Sequence, residues 1–184
     1  MNIDLPYHQP LIEDEEIDEV VETLKSGWLT TGPRTLKFEE AFRDYIGCCH
    51  AIGLNSCTAG LHLALAAKGF VVNDEVITTT MTFPATANAI IHAGLRPVFV
   101  DVEKGTLNID VSRIEEKITP RTRAIIPVHF AGHPCDMDPI MELARKNKLT
   151  IIEDAAHALE TKYKDRKIGN LGNPTSFSFY ANKN

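Results

Sequence analysis

The fold class follows from two apolar stretches, Val98-Phe-Val100 and Ile125-Ile-Pro-Val128. Their apolar residues are continuous and do not alternate with polar ones, which indicates strands that are covered on both faces. Patterns with the period of a helix stand between such strands along the chain. The sequence therefore predicts an α/β fold of three α-β-α layers, in which helices cover both sides of a mostly parallel sheet.

The elements around these stretches follow from apolar periodicity and from glycine or proline at their ends. Strands are predicted at 51–54, 75–80, 97–102, 123–130, 150–153 and 175–180. Helices are predicted at 13–26, 36–46, 61–67, 84–93, 111–118 and 136–147. The polar segment 160–169 is predicted to be a solvated hairpin with its tip at Asp165 and Arg166.

Composition excludes several classes of protein. A chain of 184 residues with 43% apolar residues is long enough to bury the core of one domain. The net charge of -6 and the scattered basic residues argue against a nucleic-acid surface. Residues 1–6 lack the basic start of a signal peptide, and no apolar run is long enough to span a membrane. We therefore expect a cytoplasmic protein that binds a small ligand.

No metal site is expected from the sequence. The chain contains four cysteines without a C-x-x-C pair, which are expected to be reduced thiols: Cys48, Cys49, Cys57 and Cys135. His129, His133 and Cys135 resemble part of a zinc ligand set. However, Gly132 and Pro134 make this segment a turn, and no fourth ligand stands nearby.

The segment Asn55-Ser-Cys-Thr-Ala-Gly60 joins a predicted strand to a predicted helix. Its free backbone N–H groups and the hydroxyls of Ser56 and Thr58 could bind a phosphate at the positive end of the helix. Serine and threonine also favour helix N-caps for structural reasons alone. The segment by itself leaves both interpretations open.

Three further candidates follow strands, where ligands bind in sheets of this kind. Phe83 stands at the rim before a helix and could stack on a flat ring, although a single phenylalanine is more often core packing. Asp154 and His157 follow a buried strand, and a buried carboxylate needs a cationic or hydrogen-bonding partner unless it is a helix N-cap. Glu153 points to the opposite face of its strand and is expected to be structural.

Lys183 follows the last predicted strand. An exposed lysine near a chain end is usually only solvated. A lysine after one strand and a carboxylate after another are, however, the pair that pyridoxal phosphate (PLP) requires, because the amine forms a Schiff base and the anion holds the pyridine nitrogen protonated. The candidates together therefore favour a PLP site.

The chain resembles the N-terminal half of a sugar-nucleotide aminotransferase of the DegT family, which has fold type I among PLP enzymes. The resemblance extends over essentially all 184 residues. It rests on six stretches: Ser26-Gly-Trp-Leu-Thr-Thr-Gly-Pro33, Asn55-Ser-Cys-Thr-Ala-Gly-Leu-His62, Met81-Thr-Phe83, Ile126-Pro-Val-His-Phe-Ala-Gly132, Ile152-Glu-Asp-Ala-Ala-His157 and Ser176-Phe-Ser-Phe-Tyr-Ala-Asn-Lys-Asn184.

The resemblance implies roles for the catalytic candidates. Lys183 would form the Schiff base and move protons between the cofactor and the substrate carbon. Asp154 would pair with the pyridine N–H, and His157 would approach the O3' side of the ring.

The resemblance also implies which residues hold the cofactor. Phe83 would stack on the ring, and Ala156 would pack beneath it. Thr58, the backbone N–H of Ala59 and Ser178 would hold the phosphate.

The implied reaction transfers the amino group of glutamate, which becomes 2-oxoglutarate, to a keto sugar nucleotide. The Gly27-Trp-Leu-Thr-Thr-Gly-Pro33 opening and Ala155-Ala-His157 further resemble the members that aminate a UDP-4-keto pentose. A lysine at position 183 favours transfer, because the related sugar 3-dehydratases carry a histidine there.

Family members are about twice as long as this chain. The resemblance therefore implies a homodimeric enzyme of which residues 1–184 are the PLP-binding large domain, incomplete after Lys183 and without the small C-terminal domain. Two alternatives stay open, namely a cofactor-binding or dimerisation fragment without catalysis and a 3-dehydratase.

Overall fold

In the computed structural model, which describes residues 8–183, parallel strands form a central sheet. The parallel strands are β1 (Glu75–Thr79), β2 (Arg96–Val100), β3 (Thr122–Ile126), β4 (Thr150–Ile151), β5 (Glu153–Ala155) and β8 (Thr175–Phe177), and a separate antiparallel pair is formed by β6 (Lys162–Tyr163) and β7 (Arg166–Lys167). The helices are α1 (Asp14–Ser26), α2 (Pro33–Ile46), α3 (Cys57–Ala66), α4 (Pro84–His92) and α5 (Met137–Asn147). None of the helices in residues 8–183 is long and apolar enough to cross a membrane. The expectation about a signal peptide concerns residues 1–6, which lie outside the described residues.

The order of the parallel strands is β2-β1-β3-β4, and β5 pairs in parallel with β8. The two groups are continuous, because the backbone after β3 also bonds to β5. The Asp154 N–H donates to the Pro127 carbonyl at 2.9 Å, and the His129 N–H donates to the Asp154 carbonyl at 3.0 Å. The parallel sheet that the sequence predicts is therefore confirmed.

The core lies on both faces of this sheet, because successive residues of a strand point to opposite sides. Ile77 and Ile125 pack on the face that α5 covers, with Met137 and Ile140 of that helix. Their strand neighbours Val76 and Ile126 pack on the other face, against residues of α3 and α4: Leu61, Leu65, Ala89 and Ile90. The three-layer arrangement is confirmed.

Local signals mark the helix ends, although α2 begins at Pro33 and α3 at Cys57, earlier than the predicted positions 36 and 61. Gly27 and Gly47 end α1 and α2 with φ of 71° and 78°, a left-handed conformation that favours glycine. Pro33 and Pro84 stand in the first turn of α2 and α4, where the missing N–H costs no hydrogen bond. The Ser56 hydroxyl caps α3.

Two predicted elements are wrong. Residues 51–54 form no strand, because none of the described strands pairs with them, and the Gly53 N–H donates instead to Glu39 Oε1 at 2.7 Å. Residues 111–118 form two single 3-10 turns, Val111–Arg113 and Glu115–Lys117, in place of an α-helix. The Asp110 carboxylate bonds the Ser112 N–H and favours the tight turn.

Several predicted strands are also longer than the strands in the structure. The predicted strand at 150–153 is divided at Ile152 into β4 and β5, and β8 ends at Phe177. The hairpin at 160–169 is confirmed as β6 and β7. Its tip is Lys164-Asp165, one residue earlier than predicted, with Lys164 at φ 54°.

Helix α1 forms as predicted, but its apolar stripe is not covered by the described residues. None of its residues is buried, and Leu24 is 61% exposed. The α1 helix therefore owes its conformation to local signals, among them a bond from the Glu13 N–H to the Glu16 carboxylate at 2.8 Å.

Candidate active site

The candidate site lies at the carboxyl ends of β1, β5 and β8. Asp154 lies in β5, Lys183 follows β8, and Phe83 stands between β1 and α4. The pairing of β5 with β8 sets Asp154 opposite Ser176. Because parallel strands all end at one edge of a sheet, this topology gathers residues that are far apart in sequence.

The Asp154 carboxylate is 5% exposed, and both of its oxygens accept hydrogen bonds. Oδ2 accepts from the Thr86 hydroxyl at 2.7 Å, and Oδ1 accepts from the Ala156 N–H at 3.2 Å. The Thr86 hydroxyl also lies 2.6 Å from that of Thr82. Because Thr86 gives its proton to Asp154, Thr82 donates to Thr86. Each carboxylate oxygen has more than one lone pair, so Asp154 can accept from a further donor.

Lys183 and His157 form the second pair of the site. Lys183 Nζ lies 2.7 Å from His157 Nε2, and both side chains are partly buried. An ammonium can only donate, so Nε2 is the acceptor and the imidazole proton is on Nδ1. Burial, followed by the positive charge of Lys183, lowers the pKa of His157 below its ordinary value of 6.5, which keeps the ring neutral.

The start of α3 packs directly against β8. The Ser176 hydroxyl donates to the Cys57 carbonyl at 2.8 Å. A Cβ added at Gly60 would lie only 2.3 Å from Ser176 Oγ, so the close approach of the helix to the strand requires glycine at this position. This packing brings the α3 N-terminus beside the strand that leads to Ser178 and Lys183.

The hydrogen bonds at this N-terminus support the N-cap interpretation for Ser56 and leave N–H groups of its neighbours available for a phosphate. Ser56 Oγ accepts from the Ala59 N–H at 3.1 Å, which is the N-cap interpretation. The Cys57 and Thr58 N–H groups find no acceptor among residues 8–183. The predicted contact of the Ala59 N–H with a phosphate would require Ser56 to share this donor.

The remaining predicted residues lie around the same sheet edge. Phe83 is 74% exposed and stands one helical turn before Thr86. Ala156 is partly buried next to Asp154 through its N–H bond. The Ser178 hydroxyl accepts from the Tyr180 N–H at 3.3 Å. The contacts predicted between these side chains and a cofactor stay predictions.

Glu153 points away from this site and is wholly buried. Its carboxylate bonds His129 Nε2 at 3.0 Å and Asn173 Nδ2 at 2.9 Å. His129 Nδ1 accepts from the Cys135 N–H at 3.1 Å, so these residues use their polar atoms on one another. No group of three metal-ligating side chains stands together in residues 8–183.

The thiols near these networks are held protonated. Burial raises the pKa of the Cys57 thiol to about 11 and that of the Cys135 thiol to about 12. A protonated, buried thiol is a poor nucleophile and a poor metal ligand.

The donors and acceptors of the site fit PLP. A buried anion, Asp154, suits a protonated ring nitrogen, and the free N–H groups of Cys57 and Thr58 suit a phosphate. Lys183 supplies a primary amine, and its neutral neighbour His157 can accept a proton. Thr86, which periodicity did not single out, completes the surroundings of Asp154.

Comparisons with known proteins agree with this chemistry. Residues 10–184 match the DegT/DnrJ/EryC1/StrS aminotransferase family. The chain is 62% identical to an uncharacterized protein of Methanocaldococcus jannaschii over 180 residues, which are 98% of the chain and 47% of that protein. It is 56% identical to the spore coat polysaccharide biosynthesis protein SpsC of Bacillus subtilis over 98% of the chain and 46% of SpsC. The chain thus spans about half the length of these relatives.

A similar solved structure is that of Spr1654 from Streptococcus pneumoniae. Its apo-form matches with a TM-score of 0.94 and 38% identity, over 98% of this chain and 49% of that one. The same protein has been solved in its PMP and PLP forms, and both match with a TM-score of 0.94. The similarity therefore covers the fold and the arrangement of strand ends that carry Asp154 and Lys183.

Proposed function

Because this chain belongs to the DegT/DnrJ/EryC1/StrS aminotransferase family, we propose that it carries the PLP site of a sugar-nucleotide aminotransferase. The amino donor is glutamate, which leaves as 2-oxoglutarate, and the acceptor is a keto sugar nucleotide. Residues 1–184 are assigned to the PLP-binding large domain of a cytoplasmic homodimer. The observation that carries the proposal is the pairing of β5 with β8, which sets the buried Asp154 and the amine of Lys183 at one sheet edge.

PLP, when bound, supplies an aldehyde that exchanges amines and a ring that withdraws electrons from the bond being broken. Asp154 would accept a hydrogen bond from the ring N–H, and its negative charge would keep that nitrogen protonated. Thr86 and the Ala156 N–H hold the Asp154 carboxylate in place through bonds of 2.7 and 3.2 Å. The low exposure of Asp154 strengthens this charge pairing.

Lys183 would supply the amine that bonds the aldehyde when PLP is present, and the same amine would carry a proton to and from the substrate carbon. Its Nζ donates to His157 at 2.7 Å, so the neutral ring can take up a proton as the amine loses one. The lowered pKa of His157 keeps that ring ready to accept. His157 thus orients the amine and shares its proton.

The N-terminus of α3 would hold the phosphate. The Cys57 and Thr58 N–H groups and the Thr58 hydroxyl would bind the anion at the positive end of the helix. Ser178, on the chain beyond β8, supplies a second hydroxyl, and Ala59 adds its N–H where Ser56 shares it. Phe83 would stack on one face of the ring, and Ala156 would pack beneath the other.

We propose a UDP-4-keto pentose as the acceptor, with UDP-4-amino-4-deoxy-L-arabinose as the product. The support is the sequence Gly27-Trp-Leu-Thr-Thr-Gly-Pro33 together with Ala155-Ala-His157. The similarity to SpsC, which is named for spore coat polysaccharide biosynthesis, supports a role in lipopolysaccharide or other polysaccharide synthesis.

The test is turnover by the protein expressed from its intact gene. Glutamate and a UDP-4-keto pentose should give 2-oxoglutarate and the amino sugar nucleotide in equal amounts. Lys183→Ala should give neither product, whereas Lys104→Ala, at an exposed position, should behave as the unsubstituted protein.

Other outcomes identify the alternatives. A keto-deoxy sugar without any amino sugar would establish a dehydratase. Bound PLP without turnover of either kind would establish a cofactor-binding module. Amination of a UDP-4-keto hexose in preference to the pentose would correct the substrate and leave the reaction class in place.

A further inference from the structure

The carboxylate of Glu153 is completely buried, although it takes no part in the chemistry proposed above. Its two oxygens have different partners: Oε2 bonds His129 Nε2 at 3.0 Å and Oε1 bonds Asn173 Nδ2 at 2.9 Å. His129 is also completely buried, and its Nδ1 accepts from the Cys135 N–H at 3.1 Å. The ring proton is therefore on Nε2, and Glu153 accepts from both of its neighbours.

The two partners belong to different segments of the chain. His129 follows β3, and its backbone N–H donates to the carbonyl of Asp154 at 3.0 Å. Asn173 precedes β8, and the Glu153 N–H donates to the carbonyl of Pro174 at 2.8 Å. The Glu153 side chain and backbone thus tie β5 on one side to the segment after β3 and on the other to the strand that leads to Lys183.

A buried carboxylate adds little net stability to a strand, because the cost of desolvating its charge offsets much of the free energy that its hydrogen bonds contribute. An apolar side chain of similar volume would often be as stable. A carboxylate that accepts on both oxygens instead fixes the position of its strand, because each oxygen must lie within hydrogen-bond distance of one particular donor. A shift of β5 along either neighbour would leave a buried donor without an acceptor.

We propose that Glu153 is a positioning residue that sets Asp154 relative to Lys183. It acts through β5, by fixing this strand between His129 and Asn173, and it touches neither cofactor nor substrate. The inference rests on the proposed function, because it gives Asp154 and Lys183 their roles in one reaction.

The test uses two variants: a single substitution at Glu153, and a double variant in which the carboxylate and the amide exchange places between positions 153 and 173. In Glu153→Gln, the amide can accept from only one neighbour, so its NH₂ faces the donor of the other unless the Asn173 amide also turns over. In the double variant E153Q/N173D, the new amide at position 153 accepts from His129 and donates to the new carboxylate at position 173. The double variant has the wild-type net charge and a complete set of hydrogen bonds, with the charge moved from the buried position 153 to the partly buried position 173.

Both variants are made in the protein expressed from its intact gene, loaded with PLP. E153Q should lower kcat by roughly tenfold or more while KM for glutamate stays nearly unchanged, because misplacing Asp154 affects the reacting state more than binding. The double variant should recover kcat to within about threefold of wild type. If E153Q does not fold, Asn173→Ala is the second variant, because it removes the bond to Oε1 and leaves Oε2 bonded to His129; it should lower kcat in the same way, and wild-type kcat in it would overturn the inference.

Two readouts do not depend on turnover. Histidine ¹⁵N spectra of the apo-protein should show the Nε2–H form of His129 in wild type and in the double variant, and a changed signal in E153Q. The visible band of lysine-bound PLP should persist in all folded variants, because Lys183 is unchanged.

The outcomes separate the inference from the proposed function. If E153Q is less thermally stable than wild type but has the wild-type kcat, Glu153 has only a structural role and the inference is overturned. A double variant that regains thermal stability without regaining kcat would also overturn it. Absence of turnover in wild type would instead contradict the proposed function.

Discussion

Strand β5 and helix α1 have opposite surroundings. All three residues of β5 are buried, and its two carboxylates bond Thr86, Ala156, His129 and Asn173. None of the 13 residues of α1 is buried, and its apolar stripe is exposed. The position of β5 is therefore set by contacts with distant segments, whereas α1 takes its conformation from its own sequence.

The difference shows which part of the molecule can hold functional side chains in fixed positions. Residues on β5 cannot move without leaving a buried polar group unbonded, so their geometry is fixed before a ligand binds. Among residues 8–183, no buried side-chain nitrogen or oxygen lacks a hydrogen bond. Helix α1 has no such constraint.

The largest expected effect comes from removing the negative charge of Asp154 on β5. Asp154→Asn removes the anion that keeps the ring nitrogen protonated, so kcat/KM should fall by the equivalent of about 2–5 kcal/mol, roughly thirty- to several-thousand-fold. Steady-state kinetics of the PLP-loaded protein measure this. Asp165→Asn, at the exposed hairpin tip, is the matched control and should have no effect. Full activity of Asp154→Asn would remove Asp154 from the mechanism.

The second effect concerns the packing of α3 on β8. Gly→Ala inside a helix ordinarily stabilises it by about 0.5–1 kcal/mol. Gly60→Ala should do the reverse and lower the free energy of unfolding by about 1–3 kcal/mol, because its Cβ would lie 2.3 Å from Ser176 Oγ. Urea denaturation measures the change.

Two comparisons check the cause of this reversal. Adding Ser176→Ala should recover part of the loss, because the closest atom to the new Cβ is removed. Gly105→Ala, where a Cβ meets nothing within 4 Å, should be neutral. A stabilised Gly60→Ala would contradict the packing described here.

The third effect is the pH dependence that His157 adds. Its pKa in the folded state lies below the ordinary 6.5, so the unfolded chain takes up the proton first as the pH falls. The free energy of unfolding should therefore decrease as the pH falls through 6.5 toward the folded pKa, and His157 should contribute no slope well above 6.5.

Urea denaturation at a series of pH values compares wild type with His157→Gln. The substitution should flatten the slope below pH 6.5, whereas His50→Gln, at an exposed position, serves as the control. Parallel curves for wild type and His157→Gln would contradict the lowered pKa.

The smallest effect is expected in α1. Leu24→Gln should change the free energy of unfolding of the 184-residue chain by less than about 0.5 kcal/mol, because Leu24 is 61% exposed and glutamine is a good helix former. Leu61→Ala in α3, where leucine is 1% exposed, is the contrasting variant and should cost about 2–5 kcal/mol. A loss above about 1 kcal/mol for Leu24→Gln would show that another surface covers α1 in solution.

The sequence predicts the parts of the structure that depend on neighbours in the chain. Continuous apolar runs such as Ile125-Ile-Pro-Val128 identify the parallel sheet, and glycines such as Gly27 identify helix ends. The predicted strand at 51–54 is wrong because an apolar pattern does not say whether a pairing strand is present. The predicted helix at 111–118 is wrong because its apolar spacing does not distinguish an α-helix from the two 3-10 turns found there.

The sequence does not predict the contacts that complete the site. Strand ends point to Asp154 and to Lys183, but Thr86 stands 68 positions from Asp154, and no periodicity pairs them. The approach of Gly60 to Ser176 likewise depends on how a helix packs on a distant strand. Such contacts arise only when the sheet is assembled.

The central claim is that the amine of Lys183 bonds PLP, and the most direct measurement is chemical trapping. The protein expressed from its intact gene is incubated with PLP, reduced with borohydride, digested and sequenced by mass spectrometry. The account predicts a single phosphopyridoxyl group on Lys183 and none in Lys183→Ala. Labelling of a different lysine, or no labelling of the folded protein, would contradict it.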